Sequence, residues 1–169
     1  MTVNRAAGRR NPPEDAFRAL FAAHYPAVYG YAARRVGRDE ASDVAAETFT
    51  VAWRKRRLVP DEPATLPWLY GVARRVVANT HRSRRRRQRL AEKAGALEPG
   101  TPWMESDLDL DRAMAELSDR DREILMLAAW EGLTPPELGE ALGCSPNTAA
   151  VRLHRARRRL EDAMRGGAA

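Results

Sequence analysis

The sequence predicts an all-α chain, two small helical domains joined by a flexible linker. Three observations carry that expectation. Apolar residues recur at spacings of three and four, with no strand-like alternation anywhere. Start and stop signals (Pro26, Gly37, Thr65, Ser118, Thr134-Pro135, Gly143, Ser145-Pro146) punctuate the pattern at helix-length intervals. Residues 90–108, with Gly95, Pro99, Gly100 and Pro102, break the periodicity and divide the chain in two.

Taken in order, residues 1–13 are rich in Arg, Gly, Asn and Pro, have little to bury, and are expected to be disordered. The first domain is expected over residues 14–89. Phe17, Leu20 and Phe21 share a face, and Pro26 is expected to open a second helix carrying Val28, Tyr29, Ala32 and Val36. Gly37 ends it, and Asp39 is the expected N-cap of the next helix, residues 40–56. In that helix Ala41, Ala45, Thr48, Phe49, Ala52 and Trp53 form the buried face, with Asp43, Glu47, Thr50 and Arg54 opposite. Periodicity alone makes the second face an ordinary solvated one.

Residues 57–65, with Pro60, Asp61, Glu62 and Pro63, read as a loop, after which Thr65 caps a helix beginning near Leu66. Its apolar side is Trp68, Leu69, Val72, Ala73, Val76 and Val77; Tyr70, Arg74, Arg75, His81 and Arg82 lie on the other. The helix runs into six arginines within residues 82–89. Such crowding of like charge favours an anionic partner over a merely solvated helix end.

After the linker, where Trp103 and Met104 are large apolar residues placed to dock, a second domain is expected over residues 109–165. Leu110, Ala113, Met114 and Leu117 lead in; Ser118 caps a helix whose core face uses Ile124, Leu125 and Ala128. Thr134-Pro135-Pro136-Glu137 is a capping box with Pro at the first helical position. Leu138 and Leu142 face inward, Gly143 permits a tight turn, and Ser145-Pro146 starts a third helix. On it Ala149, Leu153, Ala156 and Leu160 form a narrow apolar stripe, while Asn147, Thr148, Val151, His154, Arg155 and Arg158 fall opposite. Two short capped helices around a Gly turn, then a basic helix, form a helix-turn-helix pattern that enters the DNA major groove.

The chain of 169 residues carries 29 Lys+Arg against 23 Asp+Glu, a net charge of +6. A genome rich in G and C accounts for part of the arginine total but not for its clustering, so nucleic acid is the expected partner. The one cysteine, Cys144, excludes an internal disulfide and reads as a small packing residue. No apolar run reaches the length of a membrane span and the N-terminus lacks a signal-peptide core, so a cytoplasmic protein without membrane insertion is expected. His24, His81 and His154 are scattered and no carboxylates cluster with them. No metal, cofactor or catalysis is expected.

Together Leu117-Ser118, Glu123-Ile124-Leu125, Glu131-Gly132-Leu133, Glu137-Leu138 and Arg152-Leu153-His154-Arg155-Ala156-Arg157 resemble region 4 of bacterial RNA polymerase sigma factors, closest to the extracytoplasmic-function (ECF) group. Asp43-Val44-Ala45-Ala46-Glu47-Thr48-Phe49, Ala52-Trp53-Arg54 and Pro67-Trp68-Leu69-Tyr70-Gly71-Val72-Ala73-Arg74 resemble region 2 of the same group. The resemblance spans residues 14–164 in the right order.

What the resemblance implies is an alternative sigma factor, which recruits core polymerase to particular promoters and helps open them. By that analogy Asp43, Glu47, Thr50 and Arg54 meet the clamp helices of the largest polymerase subunit. Residues 57–66 and the following helix capture an unpaired base of the −10 element. Trp68 lies on the apolar side, while Tyr70, Arg74, Arg75, Asn79, Arg82 and Arg85 hold the single strand. Ser145, Asn147, Thr148, Val151, Arg152, Arg155 and Arg158 read the −35 duplex, the second domain meets the flap of the second-largest subunit, and the linker runs toward the active site. An anti-sigma factor is a further implied partner. The chain departs from many relatives at Ala46, where Gln is frequent, at Arg75, where Asn is, and at Asn79, where Asp is. The second reading is a stand-alone dimeric helix-turn-helix regulator; an enzyme acting on nucleic acid lacks a supporting cluster.

Overall fold

The computed structural model describes residues 12–93 and 108–166. Among these, seven α-helices and one short 3-10 turn carry the regular structure: α1 Pro12–Val36, α2 Arg38–Arg54, the turn Arg56–Leu58, α3 Thr65–Lys93, α4 Leu108–Glu116, α5 Asp119–Ala129, α6 Pro135–Leu142 and α7 Pro146–Gly166. The expected disorder of residues 1–13 falls mostly outside the described residues, and Pro12 and Pro13 begin α1. The linker is expected over residues 90–108, of which residues 94–107 are also outside them, and α3 continues to Lys93.

Pro26 does not open a new helix; it lies inside α1. Proline removes one backbone donor and crowds the carbonyl four residues back, a cost of about 3 kcal/mol in a helix interior. Tertiary packing overrides it. The stripe Phe17, Phe21, Tyr25, Val28, Ala32 crosses the proline without changing face, and Phe17, Phe21 and Tyr25 all meet the Phe49 ring of α2. Gly37, at φ 85° and ψ 168°, takes the N-cap position in place of Asp39, which sits in the first turn where its charge complements the helix dipole. The α2 helix stops at Arg54 rather than at residue 56.

The face of α2 against α1 and α3 is Ala41, Val44, Ala45, Thr48, Phe49 and Ala52, all buried. Its alanines let the helices approach closely, while Phe17 packs edge-on to Trp53 at 5.0 Å. In the second half Ser118 accepts a hydrogen bond from the Asp121 amide at 3.2 Å. The Glu137 carboxylate accepts from the Thr134 amide at 2.7 Å and from its hydroxyl at 2.6 Å. Gly143, at φ 67°, ends α6 in the left-handed region and turns the chain into α7. Leu127 and Leu138 are fully buried between α5, α6 and α7.

The two halves are not separate bodies here. One apolar cluster runs from Val28 and Tyr31 through Leu69 and Ala73 to Leu138 and Ala156, and α3 packs directly on α6. Gly71 permits that contact: a Cβ there would lie 2.9 Å from the Ala141 carbonyl oxygen, inside van der Waals contact.

Candidate nucleic-acid and protein interfaces

The outer face of α2 is built by steps of four, three and four residues. Asp43, Glu47, Thr50 and Arg54 are all exposed and line one stripe, because the opposite face is consumed by the core. The Thr50 hydroxyl donates back to the Ala46 carbonyl at 2.8 Å. The two carboxylates and the Arg54 guanidinium are left facing solvent.

Beyond α2 the loop is short and braced. The Thr65 hydroxyl donates to the Pro60 carbonyl at 2.8 Å, so Thr65 closes the loop from within the first turn of α3. The His24 imidazole of α1 meets the Glu62 carboxylate at 2.7 Å, next to the cis Glu62–Pro63 bond. Leu58 is 68% exposed at the loop's start.

Along α3 the expected strand-holding residues separate into two groups. Arg75, Asn79, Arg82 and Arg85 are exposed, and the Arg82 guanidinium donates to the Asn79 side-chain carbonyl. A shallow depression lined by Arg82, Arg85, Arg86, Arg89 and Leu90 continues this ridge. Between them His81 is held below its ordinary pKa by partial burial and by Arg85 and Arg84. Tyr70 corrects the expectation. It is 4% exposed, its ring 5.3 Å from that of Tyr31. Burial, then the Glu131 charge and hydrogen bond, push its hydroxyl up to about 12. The side chain assigned to DNA therefore faces the second half of the chain. Arg74 is half-buried beside it, its Nε without a protein partner. Trp68 is half-buried and packs on the core, as its place on the apolar side implies.

On α7, Ala149, Leu153 and Ala156 are buried. Asn147, Val151, Arg152, Arg155 and Arg158 are exposed, over a span of about 16 Å at 1.5 Å per residue. Ser145 and Thr148 serve the helix start instead: the Thr148 amide donates to the Ser145 hydroxyl at 3.1 Å, and the two hydroxyls lie 2.8 Å apart. Arg159 points back, reaching the Asp121 carboxylate at 2.8 Å and tying α7 to α5.

A polar network joins the halves that sequence reasoning did not find. The Tyr31 hydroxyl donates to Glu123 at 2.8 Å. Arg35 donates through Nε to Glu123 at 3.1 Å and through Nη1 to Glu131 at 3.0 Å. Arg34 also donates to Glu131. The Arg35 guanidinium lies 3.6 Å from the centre of the Tyr31 ring. Burial, reinforced by the Glu123 charge, raises the Tyr31 hydroxyl well above its ordinary pKa, so it stays a donor. The signal was present: Arg35 falls in register with Val28, Tyr31, Ala32 and Val36, a charge on the buried stripe.

Residues 20–87 match the family described as Sigma-70 region 2, and residues 107–160 match Sigma-70, region 4. RNA polymerase sigma factor CarQ of Myxococcus xanthus is 31% identical over 159 residues, 90% of this chain and 91% of CarQ. ECF RNA polymerase sigma factor SigL of Mycobacterium tuberculosis is 31% identical over 166 residues, 92% of this chain and 93% of SigL. The chain belongs to the sigma-70 family, in its ECF group. This sigma factor is a transcription initiation factor and not an enzyme, and the reading as a stand-alone dimeric regulator is not favoured. Its fold is that of RpoE from Bartonella quintana, solved in complex with the anti-sigma factor NepR, at a TM-score of 0.63 and 23% identity over 89% of this chain and 98% of RpoE. Among the described residues no helix is long and apolar enough to cross a membrane.

Proposed function

We propose that residues 14–89 of this sigma factor hold the polymerase core and the opened −10 strand while residues 109–165 read the −35 duplex. The observation that carries the reading is the separation of three solvent-facing surfaces of different chemistry on one chain. The acidic stripe Asp43/Glu47, with Thr50 and Arg54, suits a protein face on the clamp helices of the largest subunit. The exposed ridge Arg75, Asn79, Arg82 and Arg85, with the half-buried Arg74 at its start, suits a single strand, whose phosphates it neutralises. The α7 face of Asn147, Val151, Arg152, Arg155 and Arg158 suits base edges and phosphates of a duplex, with Ser145 and Thr148 at the helix start.

The mechanism is avidity. Extruding a promoter base costs a few kcal/mol, and neither reader offsets that alone. Attachment to one enzyme makes the second binding event intramolecular and raises its effective concentration. The loop of residues 57–66, braced by His24–Glu62 and Thr65–Pro60, is the candidate receptor for the extruded base. The flap of the second-largest subunit meets the second half. An anti-sigma factor is proposed as the regulator, on the likeness to a sigma factor solved with one.

Run-off transcription with purified core polymerase, genomic DNA and sequenced start sites tests the proposal. Discrete starts that disappear when Asp43 and Glu47 are reversed to Arg, or when α7 is removed, are expected. Starts that survive both changes overturn it.

A further inference from the structure

We propose that His24, on α1, is a positioning residue for base capture. It touches no DNA. Through Glu62 it fixes where the loop of residues 57–66 stands beside α3, and so sets how selectively that loop takes an extruded −10 base. This role rests on the function proposed above, in which the loop is the base receptor.

The loop's own hydrogen bonds shape its two ends and do no more. At its start the Leu58 amide donates to the Lys55 carbonyl at 2.7 Å, and the Arg56 guanidinium lies 4.7 Å from the centre of the Trp53 ring. At its end the Ala64 amide donates to the Asp61 carbonyl at 3.0 Å, and the Thr65 hydroxyl to the Pro60 carbonyl. Each of these joins residues five positions apart or fewer, so each travels with the loop when the loop tilts. The pair His24–Glu62 spans 38 positions and does not. It refers the loop to α1, which packs on both α2 and α3, the two helices that the loop connects.

The two partners are unequal. The His24 side chain is 13% exposed and that of Glu62 is 62% exposed. His24 continues the buried stripe of α1, four positions before Val28 and seven before Tyr31, and the ring of its neighbour Tyr25 meets those of Phe21 and Phe49. The imidazole is therefore the fixed member and the carboxylate the one it holds. An ionised carboxylate only accepts, so Nε2 carries the proton and donates. A pair this open to solvent adds little to stability, and its value is one of place. Place is what reading a base edge requires, since a receptor must keep its groups within about 0.5 Å of the productive geometry. Charge gives a second reason. Asp61 and Glu62 are both exposed in a loop that would meet a polyanion, and a carboxylate engaged by His24 is kept from swinging toward a phosphate.

Binding of holoenzyme, made from core polymerase and the full-length chain, to forked promoter DNA tests the role. The fork is duplex upstream and single-stranded through the −10 element of a promoter located by its sequenced start, and abasic nucleotides are placed in turn along the single strand. The wild type is expected to lose affinity several-fold at the captured position. His24→Ala is expected to bind the intact fork several-fold more weakly and to show no such position, with helical circular dichroism and melting temperature unchanged. Glu62→Ala should flatten the same position. His24→Gln keeps an N–H donor and should restore much of it. A loss that is uniform along the strand, or a wild-type profile in His24→Ala or Glu62→Ala, overturns the positioning role and leaves the receptor reading standing. A wild type with no sensitive position overturns the receptor reading, and the role of His24 with it.

Discussion

Arg35 and Glu131, 96 residues apart, meet at 3.0 Å with both side chains all but sealed from solvent. Each belongs to a different half, so neither charge is paid for by its own domain. Removing Arg35 leaves Glu131 with Arg34 and Glu123 with the Tyr31 hydroxyl, so the typical cost of about 3–5 kcal/mol for a buried charge left wholly unpaired is an upper bound. Arg35→Ala is therefore expected to lower urea-unfolding stability by less than that amount, and by more than an exposed pair would cost. Arg18→Ala, on an exposed pair with Asp15, is expected to change stability by less than about 1 kcal/mol. Equal effects for the two variants would remove Arg35 from the account.

Polymerase binding is expected to respond to the outer face of α2 and to nothing beneath it. Asp43→Arg with Glu47→Arg changes two exposed positions, so helix content and melting temperature should hold. Affinity for core, read by anisotropy of a labelled sigma factor, is expected to fall at least tenfold, about 1.4 kcal/mol. An unchanged affinity would move the polymerase contact elsewhere, with the exposed Leu58 and Trp130 the next positions to alter.

For α7 the expected signature distinguishes base readout from phosphate contact. If Arg155 reaches a base edge, Arg155→Ala costs about 1–3 kcal/mol on the cognate −35 sequence and much less on a sequence altered at the contacted pair. If it holds a phosphate, the loss is uniform across sequences and the salt slope falls by about one. Arg159→Ala is the internal comparison. Its guanidinium is already engaged by Asp121 at 2.8 Å, so its removal should cost stability and leave sequence preference unmoved. Holoenzyme binding to a panel of −35 variants at two salt concentrations reads all three outcomes.

Much of this was legible in the residues and some was not, for physical reasons. Periodicity found α2 and α7 with their buried faces because those helices are amphipathic around one core. Capping chemistry located α6, since Thr134, Pro135 and Glu137 act on neighbouring backbone. Pro26 misled because its local penalty is smaller than the packing of the apolar stripe on both sides of it. Tyr70 misled because its burial depends on Tyr31 and on Glu131, both distant in sequence. The polar network between the halves was hidden for the same reason. Arg34, Arg35, Glu123 and Glu131 each look like ordinary surface charges until the fold brings them together, and only Arg35, out of place on an apolar stripe, hinted otherwise.

The capping box on α6 gives a pH signature with a definite sign. Hydrogen bonds from the Thr134 hydroxyl and amide hold the Glu137 carboxyl below its ordinary value, which is about 4.3 for a free side chain. A group depressed on folding contributes stability that is fully present above the unfolded pKa. That contribution is lost as pH falls through the folded one. Helix caps of this kind contribute about 0.5–2 kcal/mol in all, and the titrating share is smaller because Glu137 is largely solvated and screened. Glu137→Gln keeps an acceptor for the Thr134 donors but removes the charge. The wild type is therefore expected to melt higher than Glu137→Gln at neutral pH, and the difference should shrink as pH falls from about 4.3 toward the lower folded value. Melting curves of both proteins across that window decide it: a gap that stays constant, or widens, on acidification would mean that the carboxylate charge contributes nothing to the start of α6.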